Sequence, residues 1–246
     1  MNSTLLYDAN LRLDVEGSEW SAFLKSNNVK PIGYNGDMVP LTQQLKSHAA
    51  TFSYIPAMNY FYLRRDPAYE PIASAVSAED GTTSIRSALI VSASSSITDA
   101  VQLRGKRLAI VHRFCTTSFL APALLIHDLG SRIDDFFSEL IVVSAYEGQV
   151  DAVVDGSADA TFVQESVWLK DSANAERTRV IAHRDHLPTP LFIVDRAISR
   201  QLKSDILNFL LRYKQPIDDS VLFSGFAPYG GGSVREVFRM AEAAML

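Results

Sequence analysis

The chain has 246 residues and a formal net charge of −5, with 47% hydrophobic and 21% charged residues. This length suits one large domain or two small ones, and the composition is that of an ordinary globular protein. No basic excess is present to attract nucleic acid, and no apolar stretch approaches the ~20 residues of a membrane span. We therefore expect no nucleic-acid partner and no membrane insertion.

The first half of the chain alternates short apolar strands with amphipathic helices, which predicts an α/β architecture with mainly parallel sheets. The predicted strands cover residues 4–7, 30–34, 51–55, 71–76 and 86–93. One predicted helix is capped by Ser18, and a second spans Met38–Lys46.

The second half continues the same alternation. The predicted strands cover residues 107–112, 139–143, 159–163, 179–182 and 191–194. The predicted helices cover residues 116–129, 148–154 and 197–213, with a short helix near Gln164 and a final helix capped by Ser233.

Residues 89–187 contain a complete strand–helix alternation of their own. We predict that they form a second lobe inserted into a first lobe, which is built from residues 1–88 and 188–246. The segments 87–95 and 182–190 then cross between the lobes. Because strand C-termini and helix N-termini converge on a cleft in such folds, we expect the ligand between the lobes.

The cysteine and histidine content indicates neither a metal centre nor a cofactor. Cys115 is the only cysteine, which excludes an intrachain disulfide and a cysteine-based zinc site. His183 and His186 are three residues apart, but they lie in a charged stretch, 182–187, that is typical of an exposed connection. We predict no metal site there.

Four small residues between a predicted strand and a predicted helix form the most informative motif. Cys115, Thr116, Thr117 and Ser118 follow the apolar strand and precede a helix-forming run. Hydroxyl groups and unsatisfied backbone N–H groups at the start of a helix, together with the positive end of its dipole, attract an anion. An ordinary helix cap would use the same residue types.

The order of several motifs resembles the phosphate/phosphite/phosphonate family of ABC-transporter substrate-binding proteins. The family's D-L-(K/R)-G-K matches Gln102-Leu-Arg-Gly-Lys106, and its anion loop S-T-S-G-x-x-x-P matches Cys115-Thr-Thr-Ser-Phe-Leu-Ala-Pro122. A third match runs from Ala145-Tyr-Glu to Ala152-Val-Val-Asp-Gly-Ser-Ala-Asp-Ala160, and a fourth covers the strand from Ile85 to Ile97. The resemblance implies a two-lobed type 2 periplasmic-binding-protein fold, each lobe a mainly parallel sheet flanked by helices.

Several residues depart from the family's pattern. Cys115 stands for the first serine of the anion loop and Ser118 for its glycine. Tyr146 stands for a ligand-facing histidine, and Ile85 for a tyrosine. Thr189 stands for a carboxylate that meets a ligand's amine. The resemblance thus supports the fold, and phosphonate is the leading candidate among several oxyanions.

The resemblance implies these ligand contacts: Tyr54, Tyr60, Cys115, Thr116, Thr117, Ser118, Tyr146, Glu165 and Thr189. Tyr54 and Tyr60 are alternative sources of the family's ligand tyrosine, and either is equally compatible with a core position. Glu165 can meet a cationic group of the ligand, or only complement a helix dipole. Arg86 and Arg113 bracket the expected cleft, although solvated surface is the default for both. The glycines at 230–232 with Ser233 form a second possible anion nest or simply a tight turn.

The favoured function is a non-catalytic solute-binding protein that holds a small oxyanion, with an ABC-transporter permease as partner. The sequence has no convincing Ser–His–Asp set and no Gly-rich phosphate loop with a lysine. Two alternatives stay open: a desulfinase- or lyase-like enzyme on the same fold with Cys115 in the cleft, and a cytoplasmic ligand sensor. The cellular location of the protein depends on its native N-terminus. It is periplasmic or extracytoplasmic if a leader was removed, and cytoplasmic if Met1 is the native start.

Overall fold

The structure is a computed structural model that describes residues 3–35, 38–144, 146–216 and 222–245, except for the side chains of Tyr146, Glu147 and Ser233. Its strands are β1 (Ser3–Asp8), β2 (Val29–Tyr34), β3 (Phe52–Ile55), β4 (Tyr69–Ser77), β5 (Ser84–Ser92), β6 (Arg107–Ile110), β7 (Glu139–Val142), β8 (Ala160–Gln164), β9 (Thr178–Pro188), β10 (Leu191–Asp195) and β11 (Phe223–Pro228). The α-helices are α1 (Ser18–Ser26), α2 (Met38–Lys46), α3 (Ala57–Leu63), α4 (Ala121–Asp128), α5 (Ile133–Phe136), α6 (Tyr146–Val154), α7 (Glu165–Leu169), α8 (Ala173–Arg177), α9 (Arg200–Arg212) and α10 (Gly232–Met245). None of these described helices is both long and apolar enough to span a bilayer.

The chain divides into two compact units. Unit 1 consists of Met1–Thr83 and Thr189–Gly231, and unit 2 of Ser84–Pro188 and Gly232–Leu246. The two internal boundaries lie at residues 83/84 and 188/189, against 88/89 and 187/188 in the prediction. The C-terminal helix differs, because the prediction assigned it to the first lobe.

Helix α10 has polar contacts with other residues of unit 2. Arg132 Nη2 donates to the carbonyl oxygen of Met245 at 3.1 Å, and Arg184 Nη2 lies 3.9 Å from Met240 Sδ. The chain therefore passes from one unit to the other a third time, between residues 231 and 232. Nothing in the local sequence of a C-terminal amphipathic helix indicates which unit covers its apolar face.

Unit 1 contains a six-stranded sheet in the order β11-β4-β10-β3-β1-β2. Strands β2 and β3 both run parallel to β1, as expected for strands joined by the helical crossovers α1 and α2. Strand β10 enters the sheet antiparallel to β3 and β4, and β11 is antiparallel to β4. The predicted parallel arrangement thus holds for the N-terminal strands of a mixed sheet.

Aromatic side chains fill the core of unit 1. The ring of Phe192, on β10, lies 6.0 Å from that of Trp20 and 5.6 Å from that of Phe226, measured between centroids. Phe23 stacks on Phe209 at 4.3 Å, which joins α1 to α9. Because β10 is buried on both faces, it reads as a continuous apolar run, and the sequence located it for that reason.

Unit 2 contains a five-stranded sheet in the order β7-β6-β8-β5-β9. Strands β7 and β8 run parallel to β6, whereas β8 and β9 run antiparallel to β5. Alanine side chains allow close packing of α6 on this sheet: Ala152, Ala109 and Ala158 form one cluster. The sheet is again mixed, with parallel pairing confined to its β7-β6-β8 side.

Several local features differ from the sequence-based expectations. Residues 182–187, expected to be an exposed connection, lie within strand β9, which spans Thr178–Pro188. The residue that caps α1 is Gly17, with no side-chain hydrogen bond, and Ser18 is the first helical residue. Helix α3 and strand β11 were not predicted. The predicted cap at Ser233 concerns a side chain outside the described ones.

Candidate functional site

The predicted anion-binding residues lie where β6 leads into a long helical run in unit 2. Cys115 has an extended backbone and caps this run, with its sulfur accepting a hydrogen bond from the backbone N–H of Ser118 at 3.4 Å. The run begins with a π-helical segment, Thr116–Leu120, and continues directly as α4. The sequence predicted the run but assigned it entirely to an α-helix.

Pro122 explains the π-helical segment. In a regular α-helix its ring would collide with the carbonyl of Ser118, and it has no N–H to donate. A wider turn relieves this conflict: the N–H of Leu120 bonds the carbonyl of Cys115 at 3.1 Å, five residues earlier. The carbonyl of Thr117 accepts a bond from outside the helix instead, from Ser87 Oγ at 3.3 Å.

Side-chain hydrogen bonds fix this segment to β5 and to the residue that follows β6, both in unit 2. The single hydroxyl proton of Ser87, on β5, is shared between the carbonyl of Thr117 and the carbonyl of Val163 on β8, which lies closer at 2.9 Å. Ser118 Oγ accepts from the backbone N–H of Val111, just after β6, at 3.1 Å. The hydroxyl of Ser118 therefore has a positioning partner within the protein. Ser87 was missed as a site residue, because a serine in a strand gives no signal until its partners are known.

Thr116 and Thr117 offer the hydrogen-bond donors of the segment. Their side chains are 7% and 3% exposed. In the described part of the chain, no group pairs with the hydroxyl of Thr116 or with the backbone N–H groups of Thr116 and Thr117, which occupy the first turn. Thr117 Oγ1 lies 3.4 Å from Cys115 Sγ. Shielded donors at the start of a helix are well suited to an anion.

Arg113, one of the two arginines expected to bracket the cleft, pairs with a carboxylate. Arg113 donates two hydrogen bonds to Asp134 of α5, at 2.6 Å and 3.2 Å, and these bonds lower the pKa of Asp134 below its ordinary value.

Asp159, in the turn before β8, accepts from the backbone N–H of Arg107 at 2.8 Å and from its guanidinium at 3.1 Å. The structural role expected of Asp159 agrees with these contacts.

Glu165, the first residue of α7, lies in a charged network on the β5–β9 edge of unit 2. One oxygen of its carboxylate is 2.8 Å from His183 Nε2, and the other is 3.3 Å from Arg86 Nη1. Arg86 Nε also donates to Asp185. His183 and His186 share no metal cluster: among the described residues, no group of three or more histidine, cysteine, aspartate or glutamate side chains is placed to hold a metal ion.

Three predicted site residues belong to unit 1. Tyr54, at the end of β3, is 1% exposed and stacks on Phe192 with ring centroids 5.9 Å apart. Thr189 is fully buried, and its hydroxyl donates to the carbonyl of Ala75 at 2.7 Å. Tyr60 lies on α3, where burial raises its pKa. The sequence did not predict this helix.

Asp8 is a second residue that the sequence analysis missed. It ends β1, is 2% exposed, and accepts hydrogen bonds from the backbone and side-chain nitrogens of Asn10 at 2.9 Å and 3.1 Å. Burial raises the pKa of Asp8 to about 6, despite the opposing effect of Asn10. Burial, followed by the charge of Asp8, raises the pKa of Tyr54 well above its ordinary value. The signal in the sequence that could have identified Asp8 was its position directly after the predicted strand 4–7.

Two predictions fall partly outside the described structure. Tyr146 is the first residue of α6, but its side chain is not among those described, so a ligand contact there stays a prediction. The same holds for the nest at 230–232 with Ser233, of which Gly231 has a φ of 64°. That positive φ fits the expected tight turn.

Solved structures with the same fold cover almost the whole chain. The protein XAC2383 from Xanthomonas citri bound to ATP has a TM-score of 0.79 at 14% identity, covering 98% of this chain and 96% of its own. PhnD1 from Prochlorococcus marinus in complex with methylphosphonate has a TM-score of 0.76 at 12% identity, covering 98% and 97%. A binding protein component of an ABC phosphonate transporter from Pseudomonas aeruginosa has a TM-score of 0.74 at 16% identity, covering 98% and 87%. At these identities the likeness shows the fold, and it is the predicted periplasmic-binding-protein fold.

A family profile identifies the chain by sequence. The profile described as "ABC transporter, phosphonate, periplasmic substrate-binding protein" matches residues 34–229, well over half of the chain. The match includes β3 to β11 and the whole segment from Cys115 to Pro122. The chain therefore belongs to the family of periplasmic substrate-binding proteins of phosphonate ABC transporters, and it is a solute-binding protein.

Proposed function

We propose that the protein binds a small oxyanion of the phosphonate or phosphate type at residues 115–118 and delivers it to the permease of an ABC transporter. Membership of the family implies a small ligand and a transporter partner. The oxyanion is supported by one observation above all: at the start of a helical run, the shielded backbone N–H groups of Thr116 and Thr117 and the hydroxyl of Thr116 have no partner among the described residues. The methylphosphonate bound by the related PhnD1 agrees with this ligand class.

The local geometry supplies the binding energy in three ways. The backbone N–H groups of Thr116 and Thr117 and the hydroxyl of Thr116 are donors to the ligand's oxygens. The positive end of the helix dipole stabilises the ligand's charge. Ser87 and Ser118 hold the segment against β5 and the end of β6, so little ordering is required on binding. The remaining predicted contacts stay predictions: Tyr54, Tyr60, Cys115, Ser118, Tyr146, Glu165 and Thr189.

Calorimetric titration of the purified protein with methylphosphonate and with inorganic phosphate tests this proposal. We expect at least one of the two anions to bind, and Thr116→Val to weaken that binding about tenfold or more. Valine has the shape of threonine, so the variant removes only the hydroxyl, and a hydrogen bond to a charged group contributes about 1.5–3 kcal/mol.

Thr98→Val is the matched control, because the hydroxyl of Thr98 is exposed in the same unit and contacts only Gln102 among the described groups. It should bind like the wild type. If neither anion binds, or if Thr116→Val binds as tightly as Thr98→Val, the proposal is wrong.

A further inference from the structure

We propose that two copies of the protein associate through β7 (Glu139–Val142), the last strand at one edge of the five-stranded sheet in unit 2. In this dimer, β7 of each copy pairs antiparallel with β7 of the other copy about a two-fold axis. The five-stranded sheets of the two copies then form one continuous sheet. This association goes beyond the proposed function and does not depend on which ligand the protein binds.

The edge at β7 lacks the features that keep the other sheet edges from pairing with another chain. The edge strand β2 has an exposed lysine and an exposed proline, Lys30 and Pro31. The outer side of β11 is partly covered, because Lys214 forms a bridge with Gly225. Strand β9 has two register shifts against β5 and carries ionisable residues at 183–186. In contrast, β7 pairs with β6 without a register shift and contains no lysine, arginine, proline or glycine.

The backbone of β7 has hydrogen-bonding groups on its outer side that lack partners. The N–H of Val143, directly after β7, donates to the carbonyl of Ile110 on β6 at 2.9 Å. Because successive residues of a strand direct their N–H and C=O groups to alternate sides, those of Leu140 and Val142 point away from β6. Among the described residues, no group pairs with them. Pairing of Leu140 with Val142 of the second copy, and of Val142 with Leu140 of the second copy, satisfies all of these groups.

The side chains make β7 complementary to itself in this register. Val142 is 70% exposed, more than any other large hydrophobic side chain described, and it would pack beside Leu140 of the second copy on the same face of the sheet. Ile141 would lie on the two-fold axis, opposite its own equivalent. The two Glu139 carboxylates would lie at opposite ends of the paired segment, whereas a parallel pairing in register would place these like charges side by side. The position of the single charge therefore favours the antiparallel pairing of two copies.

Sedimentation equilibrium tests the association. A pair of short strands buries less than the ~1,200–2,000 Å² of a standard interface, so we expect a dissociation constant on the order of 100 µM. Val142→Lys should raise this constant about tenfold or more, because a lysine on an edge strand opposes pairing. Val101→Lys is the matched control, since Val101 is 55% exposed in the same unit and lies outside the sheet. It should dimerise like the wild type.

Disulfide cross-linking tests the register. Residues that face each other between two hydrogen-bonded pairs have Cα atoms about 4.5 Å apart, within the range that a disulfide spans. Ile141→Cys should therefore form a covalent dimer on air oxidation. Val142→Cys is the matched control: Val142 is more exposed than Ile141, but in this register it lies opposite Leu140 and should cross-link much more slowly. The wild type should not cross-link, because Cys115 is buried.

Three results would overturn the inference. The first is a wild type that stays monomeric at several times the expected dissociation constant. The second is equally tight dimerisation of Val142→Lys and Val101→Lys. The third is faster cross-linking of Val142→Cys than of Ile141→Cys.

Discussion

Replacing Phe192 with alanine is expected to lower the free energy of unfolding by about 3–5 kcal/mol. Phe192 is fully buried on β10, the strand between β3 and β4. Its ring contacts four aromatic neighbours with centroid distances of 5.6–6.0 Å: Trp20, Phe52, Tyr54 and Phe226. Because these rings come from several elements, they cannot all move to fill the space that the substitution leaves.

Urea unfolding followed by near-ultraviolet circular dichroism measures this effect. Phe192→Leu, which keeps most of the volume, should cost less than about 1.5 kcal/mol. Leu169→Ala is a control at a side chain that is 58% exposed in the other unit, and it should have little effect. A loss below about 1 kcal/mol for Phe192→Ala would contradict the view that this cluster is the core of unit 1.

Asp8 is expected to make the protein less stable as the pH rises towards neutrality. Burial raises the pKa of Asp8 from 3.8 to about 6, so the folded state favours the protonated carboxyl. The stabilisation is fully present below the unfolded pKa and is lost as the pH rises through the folded one. The full difference is about 3 kcal/mol, of which about 2 kcal/mol is lost between about pH 4.5 and about pH 7.5.

The measurement compares wild type and Asp8→Asn by urea unfolding at these two pH values. Relative to the variant, the wild type should lose about 2 kcal/mol on going to the higher pH. Any constant effect of the substitution, for example on the Asn10 contacts, cancels in this comparison. Asp151→Asn, at a carboxylate that is 66% exposed, should follow the wild type. Parallel pH profiles for wild type and Asp8→Asn would show that Asp8 is not a buried, raised-pKa carboxyl.

The apolar patterns predicted most of the fold because burial is periodic. β10 begins with a continuous apolar run, β1 and β3 are largely apolar, and all three are central strands of unit 1. The direction of the strands was harder to predict, because β10 and β11 are antiparallel to strands that are distant from them in the sequence. Strand β9 illustrates the same limit: His183 and Arg184 pair with β5, and the bulge that follows them at residues 185–186 is indicated by no local pattern.

The anion-binding segment could be found because its donors are consecutive in sequence. The resemblance to the family's anion loop singled out Thr116, Thr117 and Ser118, and the structure places them together at the start of one helical run. Ser87 and the charged contacts of Glu165 could not be found in this way, because the residues involved come from three separate elements, β5, α7 and β9. Asp185, for instance, is 99 residues from its partner Arg86.

Amide nuclear magnetic resonance of the ¹⁵N-labelled protein, titrated with methylphosphonate, tests the central claim most directly. Because a hydrogen bond to an anion deshields the donor proton, we predict large downfield shifts for the backbone N–H groups of Thr116 and Thr117. The exposed segment around Thr98 should stay unchanged. Saturating binding that leaves the amides of Thr116 and Thr117 unmoved would place the ligand elsewhere and contradict this account.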